Sequence, residues 1–238
     1  MLKSRFFIVL ISFIFCTLSF VIVRFADNFL LSIFLDANNI FHDYYYFYIE
    51  YKNGRSENWS EGKLIFINTV PYLASLLTGI YLPHFTRNLR SEIFQLFIVW
   101  FSFHLVLLFV GSLISGLFQY QGLGIALVWF LQSKALQIIT VMIILFALTW
   151  SARRFTWYFL RCSSKCEEVF DDSIKWRYLK IIALFPFLLS CILILSFNKF
   201  ETILNHSISM ASGLLIMAII FHTVSEVFIP KRGVTNKY

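Results

Sequence analysis

Six stretches of this chain are long and apolar enough to cross the hydrocarbon layer of a membrane as helices. They cover approximately residues 6–23, 64–82, 93–118, 126–150, 181–197 and 203–229. A layer of about 30 Å needs about 20 helical residues, and backbone amides cannot go unpaired in lipid, so the stretches must be helices and not isolated strands. The sequence therefore predicts an all-α, polytopic membrane helix bundle in a single domain, with about six transmembrane helices.

The composition excludes an ordinary soluble domain. Hydrophobic residues make up 59% of the chain and charged residues only 14%, whereas soluble domains carry about 25% charged residues. The mean hydropathy is +0.75. A chain this apolar lacks the polar surface that would cover a core in water.

The positions of the basic residues predict the orientation. With the N-terminus in the cytoplasm, fourteen of the 20 Lys and Arg residues fall in inside segments, and seven of these lie in the segment 151–180. Four fall in outside segments. Because cytoplasmic loops are enriched in Lys and Arg, both termini are predicted to be cytoplasmic, which favours the plasma (inner) membrane.

The first span is predicted to be a retained anchor. Its basic start resembles a signal peptide, but residues 21–35 offer no small-x-small cleavage site and the apolar character continues to Leu35. Residues 24–36 are predicted to lie along the outer interface as an amphipathic extension of this span.

The outer loop, residues 36–63, is rich in tyrosine. Two interpretations stay open: an aromatic belt at the membrane interface, or a small hairpin that docks a partner protein. The turn of such a hairpin is expected at Asn53-Gly54, because Asn-Gly favours two-residue hairpin turns. The candidate docking residues are Tyr44, Tyr45, Tyr46, Tyr48 and Tyr51.

The cytoplasmic segment, residues 151–180, mixes basic and aromatic residues at its start. Residues 151–161 are expected to continue the fourth span as a helix that lies among the headgroups, where bases meet anionic lipid. The excess of positive charge is therefore explained by topology, and no nucleic-acid partner is predicted.

Four ionisable residues are candidates for an intramembrane polar site, because a charge in lipid is costly. His104 lies near the middle of the third span, while His222 and Glu226 share one face of the sixth span. Lys134 interrupts the fourth span together with Gln132. Three alternatives remain: hydrogen bonds within the bundle, a proton or substrate pathway, and ligation of a metal or haem.

Small residues in the third span have the spacing that allows helices to approach closely. The candidate packing residues are Gly111, Ser112, Ser115 and Gly116. They predict a contact within the bundle or with a second copy of the chain.

No complete catalytic or cofactor motif is present, so no catalytic residue, metal or cofactor is predicted. The preferred function is a non-enzymatic subunit or scaffold of a membrane complex, with the lipid bilayer, other membrane subunits or a homodimer partner as neighbours. The alternative is a small secondary transporter. Pro71 and Pro186 would then mark an inverted repeat. A membrane-embedded enzyme or a metal or haem protein is the third class.

Overall fold

A computed structural model describes residues 5–40, 42–45, 48–51, 60–85, 91–119, 123–131, 133–162, 172–197 and 200–223. The described part of the chain is almost entirely helical, and it includes a two-stranded antiparallel hairpin. The helices are α1 (Arg5–Ala37), α2 (Glu61–Phe85), α3 (Glu92–Gln119), α4 (Leu123–Phe130), α5 (Lys134–Arg161), α6 (Asp172–Leu179), α7 (Phe185–Phe197) and α8 (Phe200–His222). A π-helical turn, Lys180–Leu184, joins α6 to α7, and the strands are β1 (His42–Tyr45) and β2 (Tyr48–Tyr51).

Four helical stretches in the described part of the chain are long and apolar enough to cross a membrane. They are Phe6–Ala37, Ile65–His84, Glu92–Ile114 and Ser173–Ser196. Two shorter apolar stretches, Lys134–Ile144 and Met210–His222, fall in the regions of the fourth and sixth predicted spans. By length and composition, the helices at four of the six predicted spans are thus able to cross a membrane.

The first span is longer than predicted. α1 runs unbroken for 33 residues, about 50 Å, so residues 24–36 continue the helix of the first span without a break. The helix ends where Asn39 takes a φ of 57°. The N–H of Ile40 then donates to the Leu35 carbonyl and that of Asn39 to the Asp36 carbonyl, which is the Schellman pattern of helix termination.

The fourth predicted span, 126–150, is not one helix. α4 ends at Phe130 and α5 begins at Lys134. The Gln137 side chain donates from Nε2 to the Leu131 carbonyl at 2.6 Å, which supplies a partner for a backbone group at the end of α4. Gln137 therefore stabilises a helix end inside the apolar sequence.

α5 also extends to Arg161, and its second half packs into the core. Phe159 lies 4.9 Å from Trp100 and Phe155 lies 5.7 Å from Phe103 between ring centroids. Trp100 is eight residues into α3, about 12 Å from its start. Residues 151–161 are helical as predicted, and one face of this segment lies against α3, because Phe155 and Phe159 share that face at i, i+4.

The helices alternate in direction. Ser12 of α1 contacts Trp100 of α3 and Ile182 of the π-helical turn. Further along all three elements, residues 16–17 of α1 contact His104 of α3 and Ser190 of α7. These three elements therefore run parallel.

α5 runs against α3, because Phe155 meets Phe103 and the later Phe159 meets the earlier Trp100. α8 runs against α7: Met210 shares a cavity with Ile194, whereas Phe221 packs on Trp176. The start of α1 and the end of α8 consequently lie at the same end of the bundle.

α3 is the central helix. It contacts α1, α2, α4, α5 and α8, and 67% of its most apolar window is buried. An aromatic cluster around it fills the middle of the fold, with every member at most 3% exposed. The aromatic cluster consists of Trp100, Phe103, Phe155, Phe159 and Phe187.

The outer loop contains a hairpin in its first part, whereas the predicted turn at Asn53-Gly54 lies outside the described residues. β1 pairs with β2 from His42 opposite Tyr51 to Tyr45 opposite Tyr48, so only residues 46 and 47 lie between the strands. β1 is held against α1, since Ser32 Oγ and His42 Nε2 are 2.7 Å apart. This contact holds the start of β1 close to α1.

Gly79 allows α2 and α3 to approach closely, and a side chain there is expected to destabilise the fold. A Cβ at Gly79 would lie 2.8 Å from the Ser102 carbonyl oxygen and 2.9 Å from Val106 Cγ2. We expect Gly79→Ala to lower the free energy of unfolding by about 1–3 kcal/mol, measured by unfolding in mixed SDS micelles.

Gly62→Ala is the matched control, because a Cβ at Gly62 meets no heavy atom within 4 Å. It lies in the same helix, where alanine is favoured over glycine by about 1 kcal/mol, so no loss is expected. An equal loss in both variants would contradict the close packing of α2 on α3.

Candidate functional site

A chain of hydrogen bonds joins three helical elements in the interior. The Trp100 indole N–H donates to Ser12 Oγ at 2.8 Å, and the Ser12 hydroxyl donates to the Ile182 carbonyl. All three residues are fully buried. The chain connects α3, α1 and the π-helical turn at one level of the bundle.

Pro186 explains why the Ile182 carbonyl needs this partner. In an α-helix the carbonyl of residue 182 accepts from the N–H of residue 186, but proline has no N–H. The π-helical turn lies immediately before this proline. Proline is tolerated in apolar helices when a Ser or Thr from a neighbouring helix bonds the freed backbone group, and Ser12 does so here.

His104 lies one helical turn further along, in a mostly aromatic and apolar setting. Its Nε2 is 3.5 Å from Cys16 Sγ, and Phe20, Trp100 and Phe103 have ring centroids 5.7, 6.1 and 5.8 Å from the imidazole centroid. Thr17 and Ser190 hydroxyl oxygens, 3.0 Å apart, join α1 to α7 at the same level. His104 is thus packed between helices and has a thiol partner.

A small cavity lies beside His104. Its lining includes Ser190 and Cys191 from α7 and Met210 from α8. The space open to the centre of a water molecule is about 10 Å³, which is close to the minimum for one water. The cavity has no room for a substrate, so in this conformation His104 faces at most one small molecule.

A second polar link joins α5 to α8 near the end of the bundle. Thr156 Oγ1 lies 3.1 Å from the Ile220 carbonyl oxygen, 3.0 Å from the Ala152 carbonyl oxygen and 3.0 Å from Thr223 Oγ1. Both threonines are buried. These bonds hold the last turn of α8 against α5 without any charged group.

The structure does not bring the predicted intramembrane residues together. Met210 of α8 shares the cavity with His104, and His222 lies twelve residues further along α8, about 18 Å away. The side chains of His222 and Lys134 are exposed, and Glu226 lies outside the described residues. A shared site of His104 and His222 therefore has no geometric support.

A metal centre also lacks support in the described part of the chain, where no three His, Cys, Asp or Glu side chains group together as metal ligands. The residues near His104 that could bind an ion are Cys16 and Cys191. Structural zinc sites need four ligands in most cases.

The small residues of α3 have separate roles. Gly111 and Ser112 are buried, and Ser112 Oγ accepts the N–H of Leu123 at 2.8 Å, which provides a partner for the start of α4. Ser115 and Gly116 lie in α3, outside the residues whose side chains are described. The close approaches given by the structure involve Gly79 against α3 and Gly213 against Phe187.

The tyrosines of the hairpin are only partly described. Tyr44 is on β1 with its side chain 36% exposed. Tyr45, Tyr48 and Tyr51 lie in the two strands, with side chains outside the description, and Tyr46 falls outside it altogether. The hairpin thus presents at least one tyrosine on its surface.

Sequence reasoning missed Ser12 and Trp100, which carry the central polar link. The one available signal was Pro186, because a proline within an apolar helix frees a carbonyl that some hydroxyl must satisfy. The sequence does not tell which serine supplies it. Comparisons of the chain with protein families, with curated proteins and with solved structures gave no match.

A double-mutant cycle tests the role of Ser12. Ser12→Ala is expected to lower the free energy of unfolding by about 1–2 kcal/mol, since it removes the partner of two buried groups. In a Pro186→Ala background the loss is expected to be smaller by about 1 kcal/mol, because the alanine supplies the missing N–H to the Ile182 carbonyl. Unfolding in mixed SDS micelles measures both.

Ser196→Ala serves as the control, because Ser196 is exposed and donates to the Ile192 carbonyl of its own helix. It is expected to change stability little in either background. Equal losses for Ser12→Ala with and without Pro186 would show that the Ser12 bond does not compensate for the proline.

Proposed function

We propose that this chain is a multi-pass integral protein of the plasma (inner) membrane that crosses the bilayer six times, with both termini in the cytoplasm. Its function is that of a non-enzymatic subunit or scaffold of a membrane complex. It acts by presenting surfaces to other membrane proteins or to a second copy of itself, and it transports no substrate through its interior.

The filled interior is the observation that carries this proposal. The aromatic cluster occupies the centre of the bundle with its members at most 3% exposed. The described cavity beside His104 has space of only about 10 Å³. A transporter needs a hydrated site near mid-membrane between its helices, whereas here Ser12 bonds Trp100 and the Ile182 carbonyl, and Thr17 contacts Ser190, across helices.

Two observations support the topology. The alternating helix directions place the start of α1 and the end of α8 at one end of the bundle, which an even number of crossings requires. The excess of Lys and Arg in the segments at that end agrees with the cytoplasmic side.

The exposed surface supports contact with lipid and with partners. Large apolar side chains are exposed along one stretch of α5, including Ile143 at 64% and Phe146 at 78%. Such side chains match the acyl chains of a bilayer. At the other end of the molecule from the α8 terminus, the hairpin offers the exposed Tyr44 on a rigid two-stranded element that is anchored to α1.

Purification of the tagged full chain in mild detergent tests the scaffold function. We expect a stoichiometric partner, identified by quantitative mass spectrometry, and we expect Tyr44→Ala to reduce its recovery about tenfold, because buried interface tyrosines are frequent hot spots. Tyr81→Ala is the matched control, since Tyr81 is 54% exposed on α2 and away from the hairpin.

The scaffold function would be refuted by a stable lone monomer from both native membranes and the mildest detergents. Equal recovery of the partner with the Tyr44→Ala and Tyr81→Ala variants would contradict docking through the hairpin. Elution and helicity of each variant should match the unaltered chain, so that a loss of partner is not a loss of fold.

A further inference from the structure

A serine, a histidine and an aspartate meet where α1 ends and the hairpin begins. Ser32 Oγ and His42 Nε2 are 2.7 Å apart, and His42 Nδ1 lies 3.0 Å from the Ile40 carbonyl oxygen. The same Nδ1 is 3.9 Å from Asp36 Oδ1. The contact that holds β1 beside α1 thus contains a hydroxyl, an imidazole and a carboxylate.

The Ile40 carbonyl determines which ring nitrogen of His42 carries the hydrogen. A carbonyl oxygen only accepts hydrogen bonds, so Nδ1 must carry its hydrogen and donate it. In the neutral ring Nε2 is then an acceptor, and the Ser32 hydroxyl donates to it. A serine nucleophile with a general base has this arrangement: the base reaches the hydroxyl, and a third group orients the ring of the base.

Asp36 favours transfer of the hydroxyl proton to the ring. When Nε2 takes the proton, the imidazole becomes positively charged, and the carboxylate near Nδ1 lowers the energy of that charge. The Asp36 side chain is exposed, so solvent screens part of this effect. The His42 side chain is only 5% exposed, and its ring is therefore held in a fixed orientation by the groups around it.

The face of α1 that carries Ser32 is apolar on the side that leads into the membrane. Ser32 is half-buried, and Phe25 and Phe29 precede it at i−7 and i−3, so the three residues share one face of the helix. Both phenylalanines are exposed, and their rings stack with centroids 5.8 Å apart. This surface suits an acyl chain that lies along α1 and ends near the Ser32 hydroxyl.

The position of Ser32 along α1 is that of lipid headgroups. The helix rises about 39 Å from Phe6 to Ser32. The hydrocarbon layer is about 30 Å thick, and a bilayer with its headgroups is about 40–45 Å thick. When α1 enters the hydrocarbon near Phe6, Ser32 consequently lies just beyond its opposite boundary, where ester groups join the acyl chains to glycerol.

We propose that Ser32 is a nucleophile that takes an acyl group from the acyl–glycerol ester of a phospholipid in the outer leaflet. Ser32 Oγ bonds to the carbonyl carbon, and the bond between this carbon and the glycerol oxygen breaks. His42 Nε2 takes the hydroxyl proton and gives it to the leaving glycerol oxygen. One ester replaces another, and the products are an acylated Ser32 and a lysophospholipid.

The site is thus one of covalent acylation, which attaches the end of α1 beside the hairpin more firmly to the membrane. It goes beyond the proposed scaffold function and requires no turnover of substrate. The assignment to the outer leaflet rests on the topology proposed above, whereas the reactivity of Ser32 follows from its contacts alone.

A biotinylated fluorophosphonate tests the nucleophile in the purified full chain, because such a reagent reacts with a serine whose hydroxyl a neighbouring base activates. We expect label on Ser32, located by peptide mass spectrometry, and its loss in Ser32→Ala. His42→Gln should slow the labelling about 100-fold, which is within the usual contribution of a general base. Its side-chain amide accepts the Ser32 hydrogen bond but does not take the proton.

Ser91→Ala is the matched control, because Ser91 is exposed and its Oγ accepts the Phe94 N–H at the start of α3. Labelling of Ser32 should not change in this variant. Equal labelling rates in the unaltered chain and His42→Gln would show that the Ser32–His42 contact is only structural. An unlabelled Ser32 in the unaltered chain would overturn the nucleophile itself. Elution and helicity of each variant should match the unaltered chain.

Vesicles of ester-linked phosphatidylcholine with deuterated acyl chains test the acyl donor. After reconstitution of the full chain, we expect the peptide that contains Ser32 to gain the mass of one deuterated acyl group. Ether-linked phosphatidylcholine is the control, since it has no carbonyl carbon to attack, and no gain is expected. A chain that reacts with the fluorophosphonate but gains no acyl group from the ester vesicles would overturn the phospholipid as donor.

Discussion

The structure depends on how a backbone carbonyl freed by a proline inside an apolar helix finds another donor. Pro186 removes the usual donor to the Ile182 carbonyl, and the Ser12 hydroxyl takes its place while accepting the Trp100 indole N–H. The serine that compensates for the proline therefore also links α1, α3 and the π-helical turn. Because an unpaired group in such surroundings costs several kcal/mol, this link fixes the depth of α1 and α3 relative to the π-helical turn.

The interior around α3 is closely filled. α3 lies among five other helices. Its Trp100 takes part in both the polar link and the aromatic cluster, and its Phe103 in the cluster. The rings leave space for little more than one water beside His104. A bundle filled in this way is suited to hold a fixed shape, which is why the function proposed above is assigned to outer surfaces such as the hairpin beside α1.

The sequence predicts the helices well and their contacts poorly. α2 and α3 lie within three residues of the predicted spans, because a long apolar run in lipid has no alternative to a helix. The break before Lys134 and the burial of Phe155 and Phe159 depend on which helix faces pack together. The sequence does not predict those faces, because a helix that is apolar on all sides shows little hydrophobic periodicity. Likewise His104 is recognisable as buried, whereas its separation from His222 follows from helix packing alone.

The account depends most on opposite ends of the bundle lying on opposite sides of a bilayer. Single cysteines at Gly62 and Ser173, both exposed, can be placed in a chain whose own cysteines are replaced. A membrane-impermeant maleimide is predicted to label Gly62→Cys from outside intact cells and Ser173→Cys only in inverted vesicles. Labelling of both positions from the same side would contradict the membrane-spanning arrangement.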